Sequence, residues 1–149
     1  MQFNTSARAA LISAVLAASA AFAPPAAAQT DDALYQQLGG QTGLVTLMED
    51  FMPRLLADKR MGPYFKDVDH KHVKAQLVAQ FCEVSGGPCK LKGPDMKKAH
   101  AGFDVTKGDF NALVEVLQQS MDAQGINFAT QNRLLARLAP MHREIINTP

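Results

Sequence analysis

The sequence predicts an all-α domain behind an N-terminal leader, and three observations point to this fold class. Apolar residues recur at intervals of three and four over most of the chain, the period of an amphipathic helix. Glycine and proline divide these stretches at short intervals. No stretch alternates apolar and polar residues over more than a few positions, so strand signals are weak.

Residues 1–28 read as a secretory signal peptide. A polar start containing Arg8 precedes an alanine-rich apolar run over 9–23, and small residues lie at the end of the leader before Gln29. The apolar run is too short for a membrane span, although a retained anchor or an unstructured tail is the alternative. We expect cleavage near Ala28 and Gln29. The expected product is an exported, periplasmic domain over 29–149 without a membrane segment.

Two helices open this domain. Residues 31–32 begin a short helix that Gly39–Gly40 ends. The second helix has about four turns and contains Pro53, which removes a backbone hydrogen bond and should kink it. Residues 61–63 form a turn before the next element. The apolar stripe of the second helix consists of Leu44, Leu47, Met48, Phe51 and Leu55.

The later helices flank one long irregular link. A helix over about 69–85 stops at a Gly-Gly-Pro break, and the link occupies 88–94. A short helix then ends at His100, and Thr106 caps the next one. The expected stripes are Val73, Leu77, Phe81 and Val84, then Phe110, Leu113, Val114 and Leu117, then Leu134, Leu135, Leu138, Met141 and Ile145 in a single last helix.

Charge argues against two classes of partner. Residues 29–149 carry 14 Lys and Arg and 14 Asp and Glu, because Arg8 is the one charged residue before position 29. A neutral domain with no basic run does not indicate nucleic acid or an anionic membrane surface as a partner.

The two cysteines leave two readings open. Cys82 and Cys89 do not form the Cys-x-x-Cys-His motif that attaches c-type haem covalently. In an oxidising compartment they could pair and clip the end of one helix to the following loop. Two free or buried thiols are the alternative, because spacing alone does not fix disulfide geometry.

The segment GPDMKKAHAGFDVT, residues 93–106, ends a short helix at His100. Imidazole is the commonest protein ligand for metals, but a zinc site needs several ligands and none lies nearby in sequence. Haem iron needs one histidine, because the porphyrin supplies four nitrogens. A lone histidine is more often a surface or satisfied core residue, so spacing makes haem only the best metal option.

Four stretches together resemble group I truncated haemoglobins over Ala33 to Ile146. They are LYQQLGGQTGLVTLMEDFMPRLLADKRMGPYF, VDHKHVKAQLVAQFCEVSGGP, MKKAHAGFDVT and LLARLAPMHREII. The resemblance implies a two-over-two helical sandwich around haem b with a proximal helix of about one turn. His100 then matches the proximal iron ligand. Phe65 matches the phenylalanine that packs on the haem face, or is an ordinary core aromatic. We also expect Phe51, Met96, Phe103 and Phe110 beside the haem.

The distal side departs from the family. The resemblance puts Met52 where members that hold oxygen tightly usually have tyrosine, and puts Val73 and Leu77 at positions that face the ligand. None of the three is a hydrogen-bond donor. A donor to bound dioxygen is worth about 1.5 to 3 kcal/mol, so its absence speeds oxygen release about tenfold or more. We expect binding of O2, NO and CO in an apolar pocket that disfavours tight O2 binding.

Several side chains keep two interpretations. Met52 is a possible sixth iron ligand, although methionine more often fills a core. Gln76 either reaches in as a donor or lies on a solvated face, and His70 and His72 are expected at the haem rim or in solvent. The resemblance also allows a bond from His142 to a haem vinyl group. A solvated basic face is the default for the lysines near His100, and pairing of one or two of them with haem propionates is the alternative. These lysines are Lys90, Lys92, Lys97 and Lys98.

The function predicted first is diatomic gas binding by a haem b protein. The alternatives are a periplasmic haem redox protein, an enzyme for NO detoxification or peroxidase-like turnover on the same scaffold, and a haemless helical interaction module. The absence of distal donors argues against NO dioxygenation. No catalytic residue and no redox partner can be assigned.

Overall fold

A computed structural model gives the fold of residues 32–148, which is helical and contains no strand. The predicted leader lies outside these residues. The helices are α1 (Ala33–Gln37), α2 (Gly40–Ala57), α3 (Gly62–Phe65), α4 (His70–Val84), α5 (Met96–Ala99), α6 (Lys107–Ala123), α7 (Phe128–Leu138) and α8 (His142–Ile145). A 3₁₀ turn, Ala139–Met141, joins the last two. No helix in the described part of the chain is long and apolar enough to cross a membrane.

Side-chain caps set where four of the helices begin. A polar side chain before the first turn accepts a backbone N–H that has no partner within the helix. Asp69 does this for α4, Asp95 for α5 and Asn127 for α7. Thr106 and Asp109 form a reciprocal capping box at α6. The cap allows α5 to begin, although it is only four residues long.

The core lies where α2 packs between α4 and α6. Fully buried side chains of α2 meet those of the two neighbouring helices, and α7 closes the cluster through Leu134. The main contributors are Leu44, Leu47, Phe51 and Leu55 from α2, Val78 and Phe81 from α4, and Val116 and Leu117 from α6. This packing fixes α4 against the body of the domain.

Two local predictions need correction, and both concern proline. The expected turn at 61–63 is mostly α3, because proline is favoured in the first turn of a helix and Pro63 occupies that position. The expected single last helix ends at Leu138, because Pro140 has no N–H to continue the ladder. Pro53, in contrast, lies inside α2, which continues to Ala57.

The two cysteines are bonded to each other. The Cα atoms of Cys82 and Cys89 are 5.7 Å apart, within the ordinary range for a disulfide. Cys82 lies in the last turn of α4, and Cys89 lies in the irregular segment between α4 and α5. The bridge therefore decides between the two readings of the cysteines and ties this segment to α4.

Candidate functional site

A cavity of about 590 Å³ lies between α4 on one side and the α5 region with α6 on the other. This volume is in the range of pockets that hold a small organic molecule. The wall is mainly apolar and includes Phe81 of α4, Leu113, Val114 and Leu117 of α6, and Leu138 and Ile145 near the chain end. The cavity therefore offers a slot for a largely apolar cofactor.

Most of the residues predicted for the site border this cavity. They are Phe51, Phe65, Val73, Leu77, Met96, His100, Phe103 and Phe110. Met52 is the exception: it is buried, with 3% of its surface exposed, but it does not line the cavity. Adjacent helical residues point about 100° apart, so the wall position belongs to Phe51. The expectation that Met52 faces the ligand does not fit this geometry.

His100 lies at the C-terminal end of α5 and has one ring nitrogen already engaged. Its Nδ1 is 2.8 Å from the backbone oxygen of Met96, which fixes Nδ1 as the donor nitrogen. Nε2 then carries the lone pair that can bind a metal. Metal-binding histidines usually donate their second nitrogen in this way. The local helix turn thus prepares His100 as a ligand.

The donor set suits a cofactor that brings most of its own ligands. Within residues 32–148, no group of three or more His, Cys, Asp or Glu side chains is placed to hold a metal ion. Haem supplies four nitrogens and needs one axial imidazole from the protein. The His100 imidazole and the apolar wall fit that requirement.

Two glutamines of α4 also line the cavity, and the sequence analysis named only one of them, Gln76. Gln76 and Gln80 of α4 line the cavity together with Val73 and Leu77. Gln80 is only 8% exposed, and its Nε2 lies 3.5 Å from the sulfur of Met96 and 3.2 Å from that of Met141. Helical spacing from Val73, at three and seven residues, was the available signal for both glutamines.

The two histidines in the first turn of α4 lie in different surroundings. His72 is exposed and borders the cavity, as expected for a rim residue. His70 does not border it, and its Nε2 lies 2.7 Å from the backbone oxygen of Phe65. His70 thus ties the start of α4 to the end of α3.

A tyrosine–carboxylate pair joins two walls of the cavity and was not predicted. The hydroxyl of Tyr64 donates to Asp109 at 2.9 Å, and both residues line the cavity. Hydrogen bonds from Thr106, and then that from Tyr64, hold the pKa of Asp109 below its usual value. Burial, followed by the neighbouring Asp109, raises the pKa of Tyr64. The pair therefore stays as a neutral phenol donating to a carboxylate.

The basic residues and His142 occupy distinct places. Lys92 borders the cavity, whereas Lys90 pairs with Glu83 at 3.1 Å and Lys98 with Asp95 at 3.6 Å. His142 does not border the cavity. Its Nδ1 lies 2.8 Å from the Ala139 oxygen, and its ring centroid is 6.2 Å from that of Phe110.

Comparison with known proteins agrees with this geometry. A profile of bacterial-like globins matches residues 33–147. The chain is 30% identical to the group 1 truncated hemoglobin GlbN of Mycolicibacterium paratuberculosis, over 75% of this chain and 82% of the relative. It is also 30% identical to a group 1 truncated hemoglobin of Tetrahymena pyriformis, over 66% of this chain and 82% of that one.

Solved structures show the same fold. The crystal structure of the Tetrahymena pyriformis truncated hemoglobin, Fe(III) form, superposes with a TM-score of 0.73 at 26% identity, covering 76% of this chain and 97% of that one. The 2/2 hemoglobin of Synechococcus gives a TM-score of 0.71 at 22% identity, covering 76% and 98% of the two chains. The chain therefore belongs to the bacterial-like globin family, as a two-over-two truncated globin whose cofactor is haem b.

Proposed function

We propose that this protein is an exported haem b protein that binds O2, NO and CO at iron held by His100. The observation that carries the proposal is the imidazole of His100, which is fixed through Nδ1 to Met96 and borders an apolar cavity. When bound, haem supplies an iron centre that accepts a diatomic ligand.

The side chains of this protein supply position and exclusion of water. Phe65 and Phe110 offer aromatic surface to a flat cofactor. The wall residues of α4 keep solvent from the side opposite His100. Lys92, at the cavity border, is the lysine placed to pair with a propionate. Lys90 and Lys98 are already matched with carboxylates.

The distal wall supports weak rather than tight oxygen binding. Val73 and Leu77 line the cavity and offer no hydrogen bond to a ligand. Bound dioxygen carries negative charge and gains about 1.5 to 3 kcal/mol from a donor. Gln76 is the half-buried amide nearest to them in sequence on this wall, and it makes no hydrogen bond to another residue of 32–148. It is therefore the one residue of this helix turn that can supply such a donor.

A redox role is the second candidate, and one observation favours it. Phe103 borders the cavity and is 45% exposed, so the cofactor site reaches the protein surface. A partner can approach the cofactor there and exchange electrons. NO dioxygenation is less favoured, because Val73 and Leu77 do not stabilise the bound oxygen that it needs.

Export is supported by two independent features. Residues 1–28 have the charge, apolar run and small-residue end of a signal peptide. The bond between Cys82 and Cys89 is typical of oxidising compartments such as the periplasm. Fractionation of a bacterial host that expresses the full chain, with N-terminal sequencing of the product, tests whether cleavage occurs near Ala28.

Absorption spectra of the ferric, ferrous and ferrous-CO forms test the main proposal. A haem protein with one histidine ligand should show a Soret band in each form, which shifts on CO binding. A purified protein that takes up no haem when it is supplied would leave the haemless interaction module as the better account. Reduction by a soluble electron donor at a rate far above that of haem loss would support the redox candidate.

A further inference from the structure

The segment that follows His100 has few internal hydrogen bonds. α5 ends after four residues, and the bonds from Ala101 N to Lys98 O and from Phe103 N to His100 O are long, at 3.4 and 3.3 Å. The backbone is left-handed at Gly102 and Asp104, with φ of 80° and 50°. A continuing helix therefore does not fix the main chain of His100.

Residues near the end of the chain lie across this segment. The Nδ2 atom of Asn147 donates to the backbone oxygen of His100 at 3.1 Å. The backbone N–H groups of Asn147 and Thr148 both donate to the oxygen of Val105, at 3.1 and 3.3 Å. These three bonds join both ends of residues 100–105 to one strap, residues 147–148.

We propose that Asn147 is a positioning residue for the iron ligand His100. The inference rests on the proposed function, in which His100 binds haem iron. The imidazole is fixed by the bond from Nδ1 to the Met96 oxygen, and the main chain is fixed by the amide of Asn147. Together the two bonds restrict both the ring and the peptide unit that carries it.

The N–H of His100 donates to the Met96 oxygen at 3.1 Å, so the strap acts on the carbonyl side of this residue, which α5 does not hold. Without the Asn147 amide, the His100 carbonyl keeps only the long bond from Phe103. The peptide unit after His100 is then held less firmly, so the Cα atom of His100 and the imidazole that it carries can shift. A ligand that samples more positions holds its metal less tightly, because binding must restrict that motion.

Asn147→Asp is the sharpest test, because it keeps the size of the side chain and removes the N–H donor. Asn147→Ala removes the whole group. Thr148→Ala is the matched control, since Thr148 contributes its backbone N–H and not its side chain. Transfer of haem to an apoprotein acceptor should be about three- to tenfold faster in both Asn147 variants, as expected for one lost hydrogen bond. It should be unchanged in the control.

A spectroscopic readout separates positioning from general stability. The iron–histidine stretching band in the resonance Raman spectrum of the ferrous protein should shift or broaden in both Asn147 variants and stay in place in Thr148→Ala. An unshifted band in both variants overturns the inference, even where haem transfer is faster through a less stable fold. Failure of the proposed function is distinguishable, because the wild-type protein would then show no iron–histidine band.

Discussion

The two walls of the cavity that we propose holds haem are built in different ways. On the distal side, α4 spans His70–Val84, begins at the Asp69 cap and packs along α2. On the proximal side, α5 has four residues with irregular chain before and after it. The distal wall is held by its own helical ladder, whereas the proximal wall depends on bonds to other parts of the fold.

Three of those bonds start from the end of the distal helix. Cys82 is joined to Cys89, and the carboxylate of Glu83 accepts from Leu91 N at 2.9 Å and from Lys90 Nζ at 3.1 Å. The last turn of α4 therefore anchors the segment that leads to His100. The two walls are therefore not independent. A substitution in this turn should displace the proximal segment before it disturbs the distal helix.

The largest expected effect is at the proximal ligand itself. His100→Ala should abolish stable haem binding, because His100 borders the cavity beside α5 and its Nδ1 is engaged with the Met96 oxygen, which leaves Nε2 for iron. Titration of apoprotein with haem, followed by gel filtration, measures the retained fraction. His142→Ala is the control and should keep haem, since His142 does not border the cavity. A normal ferrous-CO Soret band in purified His100→Ala would refute the assignment.

Removing the disulfide should weaken the proximal wall next. The double variant Cys82→Ser with Cys89→Ser should lower the free energy of unfolding by about 2 to 3 kcal/mol, because a short closed loop restricts the unfolded chain by that amount. Urea denaturation of the haem-free protein measures this. Haem loss should also be faster, because residues 91–94 border the cavity.

Chemical reduction of the wild-type protein provides the matched comparison. It should reproduce the double variant in both unfolding and haem loss, and have no effect on the variant itself. Two titratable thiols in wild-type protein purified from the periplasm would show that the bridge does not form there.

A hydrogen-bond donor placed on the distal wall should slow oxygen dissociation and change CO dissociation much less. Leu77→Gln puts an amide on a residue that borders the cavity, and should slow oxygen dissociation about tenfold. Stopped-flow oxygen and CO release measure the effect, and CO should change much less because it carries little negative charge. Leu77→Met is the control of similar size without a donor.

The same experiment examines Gln76. Oxygen release that is slow in the wild type and faster in Gln76→Leu would show that this glutamine already donates to the ligand. The distal pocket would then not be apolar in function, despite Val73 and Leu77.

The smallest expected effect is on the pH dependence of the free energy of unfolding. The Leu91 N–H, followed by Lys90, holds the pKa of Glu83 below its usual value. The Glu83 carboxylate therefore contributes its full stabilisation above the pKa that Glu83 has in the unfolded chain. This stabilisation is lost as the pH falls through the lower pKa that Glu83 has in the folded protein. Glu83→Gln should be less stable than wild type near pH 7, and the difference should narrow below about pH 4.5. Urea midpoints across this range measure it; a difference independent of pH would contradict the assignment.

Helical spacing predicted part of the distal wall, and the misses among the cavity residues lie on that same side. The α4 stripe follows from helical spacing, and it placed Val73 and Leu77 on the cavity. The same period contained Gln80, which was overlooked because a glutamine is rarely expected on a buried face. The resemblance also put Met52 at the ligand, whereas its neighbour Phe51 borders the cavity.

Long-range bonds on the proximal side had no local signal. The contact of Asn147 with the His100 carbonyl spans 47 positions and depends on how α8 returns to α5. The Tyr64 to Asp109 bond likewise joins distant segments. Spacing shows which residues share a face of one helix, but not which distant side chain will meet them.

The disulfide between Cys82 and Cys89 requires a glycine at position 87. A Cβ atom at this position would lie 2.6 Å from the Cys82 sulfur and 2.7 Å from Cδ2 of Tyr35, closer than real contacts allow. The bridged sulfur therefore occupies space that any larger residue at 87 would need. Two cysteines introduced into a related globin would close this bridge only on a background that already has glycine there. The effect of the cysteine pair thus depends on the residue at position 87.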